Sequence, residues 1–232
     1  MKAMILAAGR GERMGELTAN TPKPLLPVAG RPLIVWQIER LQAAGFVDLV
    51  INTGYLGARI ETALGDGAAL GVTIHYSAEP EQPLGTGRGI QKALPLLGTA
   101  PFLLVNADVW CDFPLAALRE RPVDLAHLLL TANPAHHRGG DFALANGKVL
   151  NRGAPLLTYA GIALLHPGLF DGIAQPAFEL APLLRKAADS GRVSAERYDG
   201  TWVDVGTPQR LTEVQRLVQR GAVAGSETGE TK

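Results

Sequence analysis

Glycine, arginine and lysine are concentrated just after the first apolar run of the chain. Met4–Ala8 leads into Gly9-Arg10-Gly11-Glu12-Arg13-Met14-Gly15, and Lys23 follows within Thr21-Pro22-Lys23-Pro24-Leu25-Leu26-Pro27-Val28. Glycines let backbone N–H groups approach an anion, and successive N–H groups form an anion-binding concavity. Arg10, Arg13 and Lys23 add charge; arginine grips phosphate oxygens with two parallel hydrogen bonds, whereas lysine acts as a point charge. The chemistry indicated is phosphate binding. Two familiar phosphate motifs are excluded. The sixth position of G-x-G-x-x-G holds Met14, and no G-x-x-x-x-G-K-[ST] is present.

Two carboxylates stand at the ends of apolar runs. Asp108 follows Phe102–Val105 within Val105-Asn106-Ala107-Asp108-Val109, and Asp204 lies in Trp202-Val203-Asp204-Val205-Gly206-Thr207-Pro208. A carboxylate at a strand end beside a phosphate loop is a natural Mg²⁺ ligand, because Mg²⁺ takes oxygen donors and keeps waters and substrate phosphates. Each is also readable alone as a turn or cap residue. A third segment runs Glu79-Pro80-Glu81-Gln82-Pro83-Leu84-Gly85-Thr86-Gly87. Gly85 permits close backbone approach, and Thr86 is placed to cap the helix that follows.

Together, LAAGRGERM…TPKPLLPVAGRPLI, EPEQPLGTG, VNADV and WVDVGTP resemble the signature of sugar-1-phosphate nucleotidyltransferases, over residues 1–220. The resemblance implies roles. Ala8, Gly9, Arg10, Gly11 and Glu12 cover a nucleoside triphosphate, Arg13 meets the departing phosphates, and Lys23 meets phosphates of both reactants. Glu79, Gly85 and Thr86 lie at the nucleobase. Asp108 and Asp204 hold Mg²⁺, and Arg13, Lys23 and Asp108 form the catalytic set. Asn106, Gly140, Asn151, Tyr159 and Gly161 fall at the acceptor positions; Asn151 stands near an expected acidic residue, and Tyr159 where asparagine is common. The implied substrates are UTP and a sugar 1-phosphate, within the family most like N-acetylmuramic acid 1-phosphate, used in cell-wall sugar recycling. His136, His137 or Arg138 would meet that sugar's lactyl carboxylate. UTP with N-acetylglucosamine 1-phosphate, GTP with mannose 1-phosphate, CTP with phosphocholine, and a non-catalytic nucleotide-sugar-binding regulatory protein are the alternatives.

The elements that must position these groups are legible in outline. Apolar runs at Met4–Ala8, Val47–Thr53, Val72–Ser77 and Phe102–Val105 alternate with helical patterns at Leu33–Ala44, Gly57–Leu64 and Thr86–Leu97. That alternation predicts an α/β fold: a Rossmann-like, mostly parallel mixed sheet with helices on both faces and no β-helix domain. Ligands of such sheets bind beyond the carboxyl ends of the strands, where the Gly9 loop falls. On the first helix, Ile34, Ile38 and Leu41 face inward and Gln37 outward. In the second half, Asn146-Gly147 marks one hairpin and Asp199-Gly200, between Val193–Tyr198 and Thr201–Val205, a second. Ala177–Ala188 reads as helix. Thr207-Pro208 starts a closing helix, and 221–232 reads as a disordered tail after one domain split near residue 110.

Composition bounds the rest. The 232 residues carry 22 Lys plus Arg against 22 Asp plus Glu, so the basic excess of a nucleic-acid surface is missing. A single cysteine, Cys111, excludes an intrachain disulfide and reads as a small buried residue rather than a catalytic thiol. No apolar stretch approaches the length of a membrane span, and no signal peptide is expected, so the expected location is cytoplasmic. The sequence carries no signal for oligomeric state.

Overall fold

The computed structural model describes residues 1–80, 82 and 84–226, with 221–226 as backbone only. Glu81, Pro83 and residues 227–232 of the expected tail lie outside the described residues. The chain opens with β1 (Ala3–Leu6). Ala3 and Ile5 enter one core and Met4 the other, and this burial on both faces is why the run is apolar throughout. The proline-rich stretch makes 3₁₀ turns over Glu12–Thr18 and Lys23–Leu25, then a ribbon of β2 (Pro27–Val28) and β3 (Arg31–Pro32). Next come α1 (Leu33–Ala43), β4 (Asp48–Thr53), α2 (Gly57–Leu64), β5 (Thr73–Ala78), α3 (Thr86–Leu97) and β6 (Phe102–Asn106). β5, β4, β1 and β6 lie side by side and parallel. Leu6 pairs with Asn52 on one side and Asn106 on the other, so three strands end at one level.

The second half adds β7 (Val109–Cys111), β8 (Ala126–Thr131), β9 (Phe142–Ala145), β10 (Lys148–Leu150), β11 (Leu156–Leu165), α4 (Leu180–Asp189), β12 (Val193–Tyr198), β13 (Trp202–Asp204) and α5 (Pro208–Ser226). The main sheet has nine strands in the order β5-β4-β1-β6-β11-β8-β12-β10-β9. β11 runs antiparallel to β6, which makes the sheet mixed. Asn146 and Gly147 join β9 to β10 with φ of 49° and 72°, the two positive values that a tight hairpin turn requires. One core lies under α1 and α2, a second under α3 and α4. A third joins Met14 and Leu26 of the phosphate loop to Val203, Val205, Leu211 and Val214.

Four expectations are corrected. Gln37 is not outside: it is 2% exposed, and its amide donates to Asn106 O at 3.2 Å and to Val109 O. β12 and β13 are no hairpin: β12 pairs with β8 in the main sheet, and β13 pairs with β7 in a separate ribbon. The reason is burial, since Val193 and Ala195 enter the second core while Val203 enters the third. α4 starts at Leu180 rather than Ala177, because Phe178 is bonded to Leu84 instead of to its own helix. α5 continues to Ser226, so residues 221–226 are helix rather than tail.

Candidate active site

The carboxyl ends of β1, β4 and β6 open into a cleft of about 1170 Å³. Ala8, Gly9, Arg10, Gly11, Glu12, Arg13 and Lys23 line one side, Glu79, Gly85 and Thr86 another, and Asn106 and Asp108 the floor. The loop over it is built firmly. The Thr18 hydroxyl donates to Gly11 O and Gly15 O, each at 3.1 Å. Tyr55 donates to Thr18 O at 3.1 Å and Ala19 O at 2.9 Å, and the Arg10 guanidinium lies 5.2 Å from the centre of its ring. Ala7 N donates to Asn52 Oδ1 at 2.8 Å, which ties β1 to β4 where the loop begins.

Lys23 is buried at the head of its 3₁₀ turn, and its ammonium donates to Asp108 Oδ2. This pair sits between the phosphate loop and the end of β6, with the Asp108 side chain still 32% exposed to the cleft. Glu79 accepts from Asn52 Nδ2 at 2.6 Å. Burial raises the Glu79 pKa above the ordinary carboxylate value, against the Asn52 hydrogen bond and the Lys92 charge.

The structure moves Thr86 from its expected duty. Gly85, at φ 77°, precedes α3 in a conformation that suits glycine, and a Cβ there would meet Phe178 O at 2.5 Å. Thr86 does not cap α3. Its hydroxyl donates to Glu179 Oε2 at 2.7 Å and accepts from Leu180 N at 3.0 Å, so it satisfies the start of α4 instead. Glu179, which also accepts from Thr86 N at 3.1 Å, lines the cleft. The sequence reading missed it, as it missed Gln37 and Asn52. The only signal for Glu179 is an acidic residue before an apolar helical pattern.

Asp204 stands on the neighbouring ribbon. Its backbone pairs with Val109, and Val205 N donates to Asp108 O at 2.7 Å, so the turn that carries Asp108, between β6 and β7, is bonded to the segment just after Asp204. The Asp204 side chain is held by Arg210 Nη1 at 2.6 Å and His136 Nε2 at 3.0 Å. Among the described residues no three His, Cys, Asp or Glu side chains cluster for a metal. One carboxylate at the β6–β7 turn and one on β13, in segments joined by a backbone hydrogen bond, nevertheless fit Mg²⁺, which takes few protein oxygens and fills its shell with water and phosphate.

The acceptor residues divide. Gly161 lies against the Asn106 amide, at the point where the β11–β8 register shifts. Gly140 backs onto Leu156 in a loop pinned by Asn133, which donates to Arg138 O at 3.1 Å and Leu156 O at 2.9 Å. Tyr159 points toward the second core. Its hydroxyl is buried without a partner among the described residues, and burial raises its pKa. Asn151 is not part of the set: its amide donates to Arg185 O and Asp189 Oδ1, each at 2.7 Å, and anchors the β10–β11 turn on α4. His137 is bound to Asp141 at 3.0 Å, and Arg138 Nε donates to Ala135 O at 3.3 Å.

The family model described as nucleotidyl transferase matches residues 2–137. An N-acetylmuramate alpha-1-phosphate uridylyltransferase from Neisseria meningitidis is 50% identical, over 94% of this chain and 98% of the relative. A protein of the same name from Caulobacter vibrioides is 35% identical, over 94% and 97%. The chain belongs to the sugar-1-phosphate nucleotidyltransferases. As a member of that family it is an enzyme whose substrates are a nucleoside triphosphate and a sugar 1-phosphate, so the non-catalytic reading falls away. A Bacillus anthracis structure assigned to the glucose-1-phosphate thymidylyltransferases superposes with a TM-score of 0.85 at 22% identity, covering 94% of each chain. That likeness speaks to the fold, which is the Rossmann-like α/β sheet expected. Among the described residues no helix is long and apolar enough to cross a membrane.

Proposed function

We propose that the chain transfers UMP from UTP to N-acetylmuramic acid 1-phosphate, releasing pyrophosphate, with Mg²⁺ held by Asp108 and Asp204. One observation supports the choice of substrates: two relatives matched over almost their whole length both carry that activity in their names. The geometry supports the chemistry. The acceptor's phosphate oxygen attacks the α-phosphorus, and the bond to the β-phosphate oxygen breaks. A phosphate monoester has a second pKa of about 6, so the nucleophile is already ionised and no side chain need take its proton. The protein must align two anions and offset their charge.

Lys23, buried at the loop and paired with Asp108, supplies a fixed positive charge beside the reacting phosphates. Arg13, on the cleft wall, faces the leaving pyrophosphate. Asn52 and Thr18 hold the loop in place while the substrates bind. When bound, Mg²⁺ would neutralise phosphate oxygens and orient the displacement. The test is pyrophosphate release across UTP, GTP, CTP, ATP and dTTP against a panel of sugar 1-phosphates, with and without Mg²⁺. Release that needs UTP, the muramic acceptor and Mg²⁺ together is expected. Release with another pair would keep the transfer chemistry and remove these substrates.

A further inference from the structure

The sequence motifs give Arg210 no role, yet its surroundings are unusual. It lies in the first turn of α5, and its side chain is only 13% exposed. Nη1 donates to Asp204 Oδ1 at 2.6 Å, and the His136 ring lies against the same nitrogen, with Nδ1 at 3.0 Å. Nε is buried and meets no acceptor among the described residues. Nη2 reaches Gly206, which lines the cleft. A Cβ on Gly206 would meet Arg13 Nη2 at 3.0 Å and Arg210 Nη2 closer still. Two guanidinium ends therefore flank one point of the cleft wall.

Like charges brought to one point repel, and a site of this kind is stable when an anion lies between the cations or when one of them is neutralised. Asp204 neutralises Arg210 through Nη1 alone. The Nε–Nη2 edge stays unspent, and that edge is a two-donor fork of the shape that grips phosphate oxygens. We infer that Arg210 is a second pyrophosphate-binding cation, acting beside Arg13 at Gly206, and that Asp204 holds it in reserve. The inference rests on the nucleotidyl-transfer reading above, because that reaction releases pyrophosphate on this wall. It assigns Asp204 a second duty, as the counter-charge that restrains Arg210 until the anion arrives.

The test is calorimetric titration of inorganic pyrophosphate into the full chain in buffer containing EDTA, so that no metal contributes. Arg210→Gln should weaken binding roughly 10-fold or more, the loss of one hydrogen bond to a charged group. Asp204→Asn keeps the shape and removes the restraint, so it should tighten binding by at least roughly a few-fold, the scale of an exposed ion pair, because this pair is largely buried and less screened by water. The double variant should bind like Arg210→Gln. If Arg210→Gln does not fold, Arg210→Lys keeps the charge without the fork and should weaken binding as well. Unchanged affinity in the folded Arg210 variant, or an Asp204→Asn chain that binds no tighter, would overturn the inference, as would a wild-type chain that does not bind pyrophosphate. The transfer assay separates the two readings. The expected binding pattern in a chain that transfers no UMP removes the substrate proposal alone. Transfer by a chain whose pyrophosphate affinity ignores Arg210 removes this inference alone.

Discussion

Replacing Gln37 by leucine tests whether α1 fixes the turn that carries Asp108. The two side chains are close in volume, so the change removes hydrogen bonds with little change in packing. Gln37 Nε2 donates to the carbonyls of Asn106 and Val109, the residues that bracket Ala107 and Asp108, and Oε1 accepts from Arg40 at 3.1 Å. Arg40 keeps its bond to Phe113 O at 3.2 Å. Each buried carbonyl left without its donor costs about 1–2 kcal/mol, so Gln37→Leu should lose about 2–4 kcal/mol. With a urea m-value of about 3 kcal/mol/M, the unfolding midpoint should fall by about 1 M at unchanged m. The exposed Gln42 of the same helix is the control, and Gln42→Leu should stay within about 0.5 kcal/mol of wild type. The folded Gln37→Leu enzyme should also lose turnover. A shift of the turn by about 1 Å displaces Asp108, and misplacement on that scale costs about 100-fold. A midpoint within about 0.3 M of wild type with full turnover would refute the claim that this amide holds the turn.

Three further outcomes follow from the same geometry. Lys23→Ala should lower turnover by about 100-fold or more in a protein with an unchanged circular dichroism spectrum, and near-wild-type turnover would remove Lys23 from the reaction. Glu79→Gln should raise Tm at pH 8 by more than at pH 4.5. Burial lifts the folded pKa of Glu79 above 4.5, so its contribution is full below the unfolded value and is lost as pH rises through the folded one. A Tm difference that does not change with pH would show that burial is not the cause. Thr86→Val removes the donor to Glu179 and the acceptor for Leu180 N, and should cost about 1–2 kcal/mol, or about 2–8 °C in Tm. An unchanged Tm would show that water replaces the hydroxyl at the start of α4.

The parts of the fold legible in the sequence are those set by local rules. β1, β4 and β6 are apolar on both faces because helices cover both, and so they stood out as continuous runs. The positions of the Gly9 loop and Asp108 followed from the ends of those strands. The misreadings occurred where a polar group is satisfied by a distant partner. Positions 34, 37, 38 and 41 form one helical stripe in the structure, and Gln37 is buried with the other three. A polar amide nevertheless reads as a surface group, because the carbonyls it serves, Asn106 O and Val109 O, come 69 and 72 residues later. Thr86 was legible as a helix-capping hydroxyl, but the sequence does not say which helix it caps, and it caps α4, 94 residues away. Asn151 carried a polar amide near an expected acidic position, but both of its donors are spent on α4. The chain bends at Gly200, but the strands on its two sides bury their side chains in different cores and do not lie side by side.

These misreadings share a physical cause with the organisation of the site. Each carboxylate proposed to hold metal already has a cation: Lys23 on Asp108 and Arg210 on Asp204. An unpaired, partly buried carboxylate would be desolvated without compensation, and two of them on hydrogen-bonded neighbouring segments would repel each other. Pairing each with a lysine or arginine removes both penalties. It also means that a substrate would not simply add charge to the cleft, because an anion that drew the cations would leave the carboxylates to the proposed metal. The affinity for either ligand alone is therefore reduced by the ion pair it must break, and the two together lose that penalty once. On this reasoning the cleft favours a nucleotide that arrives already bearing its metal over free metal or free nucleotide.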